Sequence, residues 1–233
     1  ADPTAFCSYS DHLLAVDTLL AVCALRAQSV RGQLSGDYPI TLRFASKAGE
    51  AEATFTLHVV GVDLPPQKLV YTQWFHGDCL ADYYHVPVWS EEHWALWEKF
   101  LSAAGEEGMN MVLTPLFTPP LDTEIGTERP CVQLLGVEKE GEAYRFDFSL
   151  VERFIRMAHR CGMEYFEISH LFTQWGAEFA PKVMVQTPQG LEKRFGWHTP
   201  AVGGEYTEFL HAFLPALYDT LGVFISLIVV NCI

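Results

Sequence analysis

Three short segments combine aromatic side chains with neutral hydrogen-bonding groups, and each follows a stretch that predicts a strand. The segments are Trp74–Asp78, Thr114–Thr123 and His170–Gly176. One face of a pyranose presents C–H groups that pack on an indole ring, and its hydroxyls need directed donors and acceptors. The indoles are those of Trp74 and Trp175, and the polar groups are those of His76, Asp78, His170 and Gln174. The mixture suits a sugar, and core or lid packing of the two tryptophans is the alternative.

Other chemistries have weaker support in the pattern. His76 and Cys79 have an H-x-x-C spacing, followed by His85 and His93, but zinc needs three or four ligands at closed spacing. Hydrogen-bonded histidines are therefore favoured over a metal site. No Gly-x-Ser-x-Gly motif is present. Ser169 precedes His170 on a predicted strand, so their side chains point to opposite faces and form no nucleophile–base pair.

Carboxylate pairs are examined separately because glycosidic cleavage usually uses two. Glu167 lies in the middle of a predicted strand, where a paired structural role is favoured over one facing a barrel interior. Asp78 and Asp82 have no obvious partner in the sequence. The carboxylates at the end of the second segment and in the loop that continues from it are expected to be solvated: Asp122, Glu124 and Glu128. We therefore assign no catalytic residue.

The positions of these segments follow from an alternation of strands and helices that begins at Lys68. Strands are predicted at 68–75, 110–117, 163–172 and 223–233, and helices open at Ser90, at the Ser149–Glu152 capping box and at Glu205. Gly105 and Gly108 are expected to stop the first helix. Two hairpins are predicted as insertions, at 133–147 and around a turn at 187–190.

This order predicts parallel strands with right-handed crossovers. No glycine-rich loop follows the first strand, which disfavours a dinucleotide-binding fold. The predicted class is α/β, with residues 63–233 forming the first half of a (β/α)8 TIM barrel, in which ligands meet the carboxyl ends of the strands.

Residues 1–62 differ from the rest. Tyr38–Phe44 and Ala53–Val60 alternate apolar and polar residues around a turn-rich link, which predicts a β-hairpin. Two strands make no stable domain alone, so we interpret them as the end of a β-sandwich domain. Leu64–Pro66 predicts a rigid junction. Leu13–Ala27 is apolar in a helix-like way and does not fit the sandwich.

The composition limits the partners. Lys and Arg total 15 against 29 Asp and Glu, a net charge of −14. Such a surface repels nucleic acids and anionic lipids, so we expect neither nucleic-acid nor membrane partners. The apolar run at 223–233 is shorter than the about 20 residues that span a bilayer. Six scattered cysteines with no C-x-x-C spacing favour a reducing, cytoplasmic compartment, and an upstream signal segment remains open.

Longer motifs carry a family resemblance over Leu64–Leu221, about two-thirds of the chain. Trp74–Trp94, Asn110–Thr123 and Phe166–Lys182 resemble glycoside hydrolase family 123, and FGW at Phe195–Trp197 and FLPAL at Phe213–Leu217 add to the likeness. The resemblance implies exo-hydrolysis of terminal β-linked N-acetylgalactosamine by a retaining, substrate-assisted mechanism. In it an aspartate orients the acetamido group and the adjacent glutamate protonates the leaving oxygen. No metal or organic cofactor is implied.

One departure from the family limits the expected activity. The family's Asp-Glu pair ends the strand after the helix that matches Glu205–Leu221, whereas no Asp or Glu follows Asp219 here. We expect a domain truncated before that pair and inactive alone. Its expected ligand is a glycan's terminal N-acetylhexosamine, held by Trp74, His76, Asp78, His170, Gln174, Trp175 and Trp197. The alternatives are a non-catalytic carbohydrate-binding or scaffold protein, and an acidic partner-binding protein without a ligand.

Overall fold

The computed structural model describes residues 35–46, 49–62, 68–174, 176–221 and 226–229. They belong to two compact units, Ala1–Pro66 and Gln67–Ile233. The predicted features at Leu13–Ala27 and Leu64–Pro66 lie outside the described residues. No helix in the described ranges is long and apolar enough to cross a membrane.

The first unit contains an antiparallel hairpin of β1 (Gly36–Ser46) and β2 (Gly49–Val59), as the alternation predicts. Tyr38 lies opposite Leu57 and Ile40 opposite Phe55. Since alternate residues of a strand share a face, these side chains form an apolar face. The other face is polar, and there Arg43 contacts Glu52 at 3.1 Å.

The second unit contains four described helices and seven described strands. The helices are α1 (Gly77–Tyr84), α2 (Glu91–Glu106), α3 (Ser149–Arg160) and α4 (Gly204–Leu221). The strands are β3 (Met111–Thr114), β4 (Gly136–Glu140), β5 (Ala143–Asp147), β6 (Tyr165–Ile168), β7 (Val183–Thr187), β8 (Gly190–Phe195) and β9 (Ser226–Val229). β3, β6 and β9 form a parallel sheet in that order, with α3 and α4 in the two crossovers. The predicted alternation is confirmed for these three strands.

Helix α2 begins where its sequence predicts, because the Ser90 hydroxyl accepts a hydrogen bond from the His93 amide at 3.2 Å. Trp94, Trp97 and Leu101 are buried on one side of this helix, as expected. Helix α4 buries the predicted phenylalanine and leucine side. These side chains join one hydrophobic core with the strands of the parallel sheet.

Gly105 was expected to stop α2, but it lies inside the helix, which ends at Glu106. A Cβ atom at Gly105 would lie 2.1 Å from the carbonyl oxygen of Cys161. The glycine is therefore required for close approach to the end of α3. Gly108, with φ of 94°, follows the end of the helix and fits its predicted role.

The strand predicted at 68–75 is wrong: this segment is irregular chain that forms no strand. The amide of Tyr71 donates to Asn110 Oδ1 at 2.7 Å, and the amide of Gln73 donates to Met109 Sδ at 3.4 Å. Side-chain atoms thus bind two amides of the segment, and its backbone pairing is limited to the Tyr71 carbonyl, which accepts from the amides of Asn110 and Met111 at 3.1 Å. Pattern alone cannot show that a backbone partner is replaced.

The capping box predicted at Ser149–Glu152 is also wrong. Ser149 is the first residue of α3. The N-cap position is occupied by Phe148, whose side chain makes no capping hydrogen bond. Asp147 supplies the acceptor instead, because its Oδ1 receives the Ser149 amide at 2.9 Å. The helix end is stabilised from one residue earlier than the motif implies.

Both predicted hairpins are present, and they join in one sheet of order β5-β4-β7-β8. β4 and β7 are parallel where Glu138 pairs with Gln186. The Gln133 amide group bridges the two hairpins, since its Nε2 donates to the Met184 carbonyl at 2.9 Å and its Oε1 accepts from the Met184 amide at 2.8 Å. Phe209 of α4 packs beneath this sheet against aromatic rings of β5 and β8.

Candidate functional site

The loops that follow β3 and β6 are tied together at the carboxyl ends of these parallel strands. The Ser169 amide donates to the Thr114 carbonyl at 3.0 Å, and the Ser169 hydroxyl accepts from the Phe117 amide at 2.9 Å. Ser169 therefore has a structural partner and is not paired with a base. Ligands bind at this edge in parallel α/β sheets. The candidate site is therefore the group of predicted residues that lie near it.

Trp74 lies beside Glu167 and His170. Its Nε1 donates to Glu167 Oε2 at 2.8 Å, and its ring meets His170 edge to face, with centroids 5.4 Å apart. The indole is 38% exposed, whereas the other two side chains are buried. The structure thus brings two predicted site residues together with Glu167, for which the sequence favoured only a paired structural role.

Burial controls the protonation of both buried groups. Desolvation raises the pKa of Glu167, although the hydrogen bond from Trp74 lowers it. Desolvation also lowers the pKa of His170, so its imidazole is neutral at neutral pH. Neither ring nitrogen of His170 has a hydrogen-bond partner in the described part of the chain. Both nitrogens are therefore buried without the hydrogen bond that would offset the cost of burial.

His76 connects the first loop to the second. Its Nε2 lies 2.8 Å from Asp122 Oδ2, and because a carboxylate only accepts, Nε2 carries the hydrogen. The His76 side chain is buried, and its Nδ1 has no partner among the described residues. Asp122 has a φ of 56°, so a strained backbone presents its carboxylate to His76.

Asp78 has a partner that the sequence did not reveal. Arg129 forms a fork on its carboxylate, with Nε 3.2 Å from Oδ1 and Nη2 3.0 Å from Oδ2. Both side chains are largely buried. A Cβ atom at the neighbouring Gly77 would lie 2.4 Å from the Trp97 ring, so this end of α1 sits directly on the core. Asp78 therefore fixes the loop, and its contact with a sugar remains a prediction.

Gln174 and Trp197 flank the second loop. Gln174 Nε2 donates to the Thr123 carbonyl at 2.9 Å, and Trp197 Nε1 donates to the Thr127 carbonyl at 2.8 Å. Thr123 borders a shallow hollow that includes Gln174 and also a narrow cleft that includes Trp197. Trp175 lies outside the described residues, so its place beside Trp74 remains a prediction.

Four of the carboxylates near these loops are held by other groups. Glu128 contacts Lys193 at 2.8 Å and Lys182 at 3.7 Å, in addition to the partners of Asp78, Asp122 and Glu167 given above. Within the described ranges, no three His, Cys, Asp or Glu side chains are grouped to hold a metal ion. His93 instead makes hydrogen bonds, at 2.8 Å to the Gly77 carbonyl and 3.0 Å to the Trp89 amide.

Comparisons with known proteins found a matching family model and a similar fold. Residues 74–223 match the family model for the catalytic domain of glycoside hydrolase 123. A solved structure of a family 123 glycoside hydrolase from Clostridium perfringens, described for glycolipid glycan hydrolysis, has a similar fold, with a TM-score of 0.56 and 15% identity. The match covers 80% of this chain and 34% of that one, so this chain spans about a third of its length. No curated protein matches the sequence.

Proposed function

The chain belongs to glycoside hydrolase family 123, and on that premise we propose that its second unit binds the terminal N-acetylhexosamine of a glycan at the carboxyl ends of β3 and β6. The observation that carries the proposal is the half-exposed indole of Trp74 beside the buried His170. An exposed indole face packs on the C–H face of a sugar, and buried imidazole nitrogens without partners suit its hydroxyl or acetamido groups.

The other predicted site residues are proposed as further contacts of the sugar. Gln174 and His76 contribute polar atoms from the loops after β6 and before α1, and Trp197 borders the cleft beside the second loop. Asp78 is proposed as a contact that is held in place by Arg129. Trp175 is proposed from its sequence position alone.

We further propose that residues 63–233 form the first half of a (β/α)8 barrel. The parallel order β3-β6-β9, with helices in both crossovers, supports this, and so does the contact of the preceding segment with Asn110, the residue before β3. For residues 1–62 we propose the end of a β-sandwich domain, since one face of the β1–β2 hairpin is apolar.

The 233-residue polypeptide is proposed to lack hydrolase activity by itself. Residues 220–233 contain no carboxylate, whereas the family resemblance places the Asp-Glu pair there. Asp78, Asp122 and Glu128 each have a partner near the second loop, which supports the proposal that they do not act as a catalytic pair. Binding without cleavage would also fit the second candidate, a non-catalytic carbohydrate-binding or scaffold protein.

Sugar binding is tested by titrating the protein with N-acetylgalactosamine and following tryptophan fluorescence and heat. We expect saturable binding that Gln174→Ala weakens by about threefold to tenfold, the loss of one net hydrogen bond. Gln186→Ala is the matched control, because Gln186 is an exposed glutamine on β7 whose side chain donates to the neighbouring Thr187 carbonyl. Identical responses of both variants, or no saturation, would refute the assignment of the site.

Hydrolysis is tested separately with a chromogenic β-N-acetylgalactosaminide. We expect release at the rate of the blank, because residues 220–233 offer no Asp-Glu pair to orient the acetamido group and protonate the leaving oxygen. Turnover clearly above the blank would overturn the proposed inactivity and would exclude the non-catalytic candidate. Binding measured in the first experiment remains informative in either case.

A further inference from the structure

Glu167 is a buried carboxyl group without a countercharge. It is 1% exposed, burial and Trp74 are the influences on its pKa, and its Oε1 has no hydrogen-bond partner among the described residues. Burying a polar group that lacks full compensation costs free energy. A leucine at this position of β6 would be buried without that cost in free energy. The carboxyl group therefore points to a role other than the stability of the core.

Trp74 needs a fixed side-chain position that its own backbone does not supply. It lies in the irregular segment before α1, where no ladder of backbone hydrogen bonds holds the chain. Two contacts restrain the ring instead: the hydrogen bond to Glu167 at its Nε1 edge and the edge-to-face contact with His170. The hydrogen bond restrains the Nε1 edge of the ring, and the contact with His170 limits its tilt about that edge.

We propose that Glu167 is a positioning residue that holds the Trp74 indole in the orientation in which its exposed face packs on a sugar. This inference rests on the proposed function, because the ligand class is the one proposed there. Glu167 acts through Trp74 and does not itself touch the sugar. A preorganised ring loses less conformational entropy on binding than a mobile one, so the anchor adds to affinity.

The ionisation of Glu167 gives this arrangement a spectroscopic signature. An ionised carboxylate accepts a stronger hydrogen bond than a neutral acid does, so the Trp74 N–H bond changes as Glu167 titrates. Because burial raises the pKa of Glu167, the change is expected above the ordinary range of a glutamate. A residue that only fills space would not produce it.

The test uses Glu167→Met, Glu167→Gln, Trp74→Phe and the Trp74→Phe/Glu167→Met double variant. Trp74→Phe removes the N–H donor and keeps an aromatic ring. Glu164→Gln is the control, because Glu164 is an exposed glutamate next to the start of β6. Two quantities are measured: the Kd for N-acetylgalactosamine, and the pH dependence of the Trp74 Nε1–H NMR resonance, which is assigned by its loss in Trp74→Phe.

We expect Glu167→Met to weaken sugar binding by about fivefold to tenfold, the equivalent of one net hydrogen bond, with no further weakening in the Trp74→Phe background. Glu167→Gln keeps an acceptor, so it should retain most of the affinity while the Trp74 resonance loses the titration step of Glu167. A step from His170, whose ring contacts Trp74, should stay the same in both proteins. Glu164→Gln should leave both quantities unchanged.

Unchanged affinity in Glu167→Met, or an equal loss in the Trp74→Phe background, would overturn the inference. If Glu167→Met does not fold, the Trp74 resonance in Glu167→Gln decides, and a titration curve unchanged from that of the native protein would refute the coupling. If the native protein binds no N-acetylhexosamine, the proposed function fails. The NMR titration then still tests whether Glu167 holds Trp74, so the two failures are distinguishable.

Discussion

At the scale of single residues, His93 shows how a buried histidine can be fully satisfied without a metal. Its Nε2–H donates to the Gly77 carbonyl at 2.8 Å, and its Nδ1 accepts from the Trp89 amide at 3.0 Å. These two bonds fix one neutral tautomer. Trp89 has a φ of 59°, so the imidazole also holds a strained backbone position. Protonation of Nδ1 would break the second bond.

His93 should therefore make the protein less stable in mild acid. Burial lowers the pKa of His93 below 6.5, so the unfolded chain binds a proton first as the pH falls. The free energy of unfolding then decreases as pH falls below about 6.5 towards the folded pKa. Urea unfolding at pH 7.5 and 5.5 measures this decrease in the free energy of unfolding. It should be smaller for His93→Gln than for the native protein, because the part due to His93 is removed while the part due to His170 remains. Equal decreases in the two proteins would contradict this.

The Asp78–Arg129 pair gives a second prediction at this scale. Arg129→Met should lower the free energy of unfolding by about 3 kcal/mol, because it leaves a buried carboxylate without its countercharge. Asp78→Asn/Arg129→Met should lose less than the single variant, since no charge remains buried. Urea unfolding at neutral pH measures both. A double variant at least as unstable as Arg129→Met would show that the cost comes from lost packing.

The residue types of the candidate site could be predicted from the sequence, but their partners could not. Trp74 and His170 were selected because their chemistry suits a sugar, and the structure places them in contact. Asp78 finds Arg129 and Trp74 finds Glu167 across 51 and 93 residues. Such pairs depend on the path of the whole chain, which local periodicity does not contain.

At the scale of elements, Gly105 sets how closely α2 approaches α3. In an open helix, replacing glycine by alanine stabilises by about 1 kcal/mol. Here we expect Gly105→Ala to destabilise by about 2 kcal/mol, because its Cβ would overlap the Cys161 carbonyl oxygen. Thermal unfolding measures the sign directly. Ala103→Gly, at an exposed position of the same helix, should cost about 1 kcal/mol, and a stabilised Gly105→Ala would refute the overlap.

The elements that sequence reasoning predicted best are those with strong local signals. The hairpins have alternating strands, and Gly141, with φ of 61°, stands in the turn between β4 and β5. The short helix α1 was missed because eight residues beginning with glycine give little periodicity. Residues 68–75 read as a strand because a β-branched and aromatic run resembles one, although pairing depends on a neighbour that supplies side-chain atoms instead.

At the scale of the whole molecule, the buried apolar side chains of the described chain all lie between Leu80 and Leu221. We therefore expect a polypeptide of residues 67–233 to fold cooperatively by itself, with the far-ultraviolet circular dichroism of a mixed α/β protein. Urea unfolding should follow a single transition at nearly the midpoint seen for the same unit in the full chain. Loss of a cooperative transition would show that residues 1–66 contribute to this core.

The common sheet of the two hairpins has a consequence for how related chains can vary. The β4–β5 hairpin follows β3 and the β7–β8 hairpin follows β6. The Gln133 side chain and the β4–β7 pairing nevertheless join the two hairpins in one sheet. Lengthening or deleting one hairpin would remove the strand that pairs with the other. We therefore expect related chains to keep both hairpins, to lack both, or to change both so that β4 and β7 still pair.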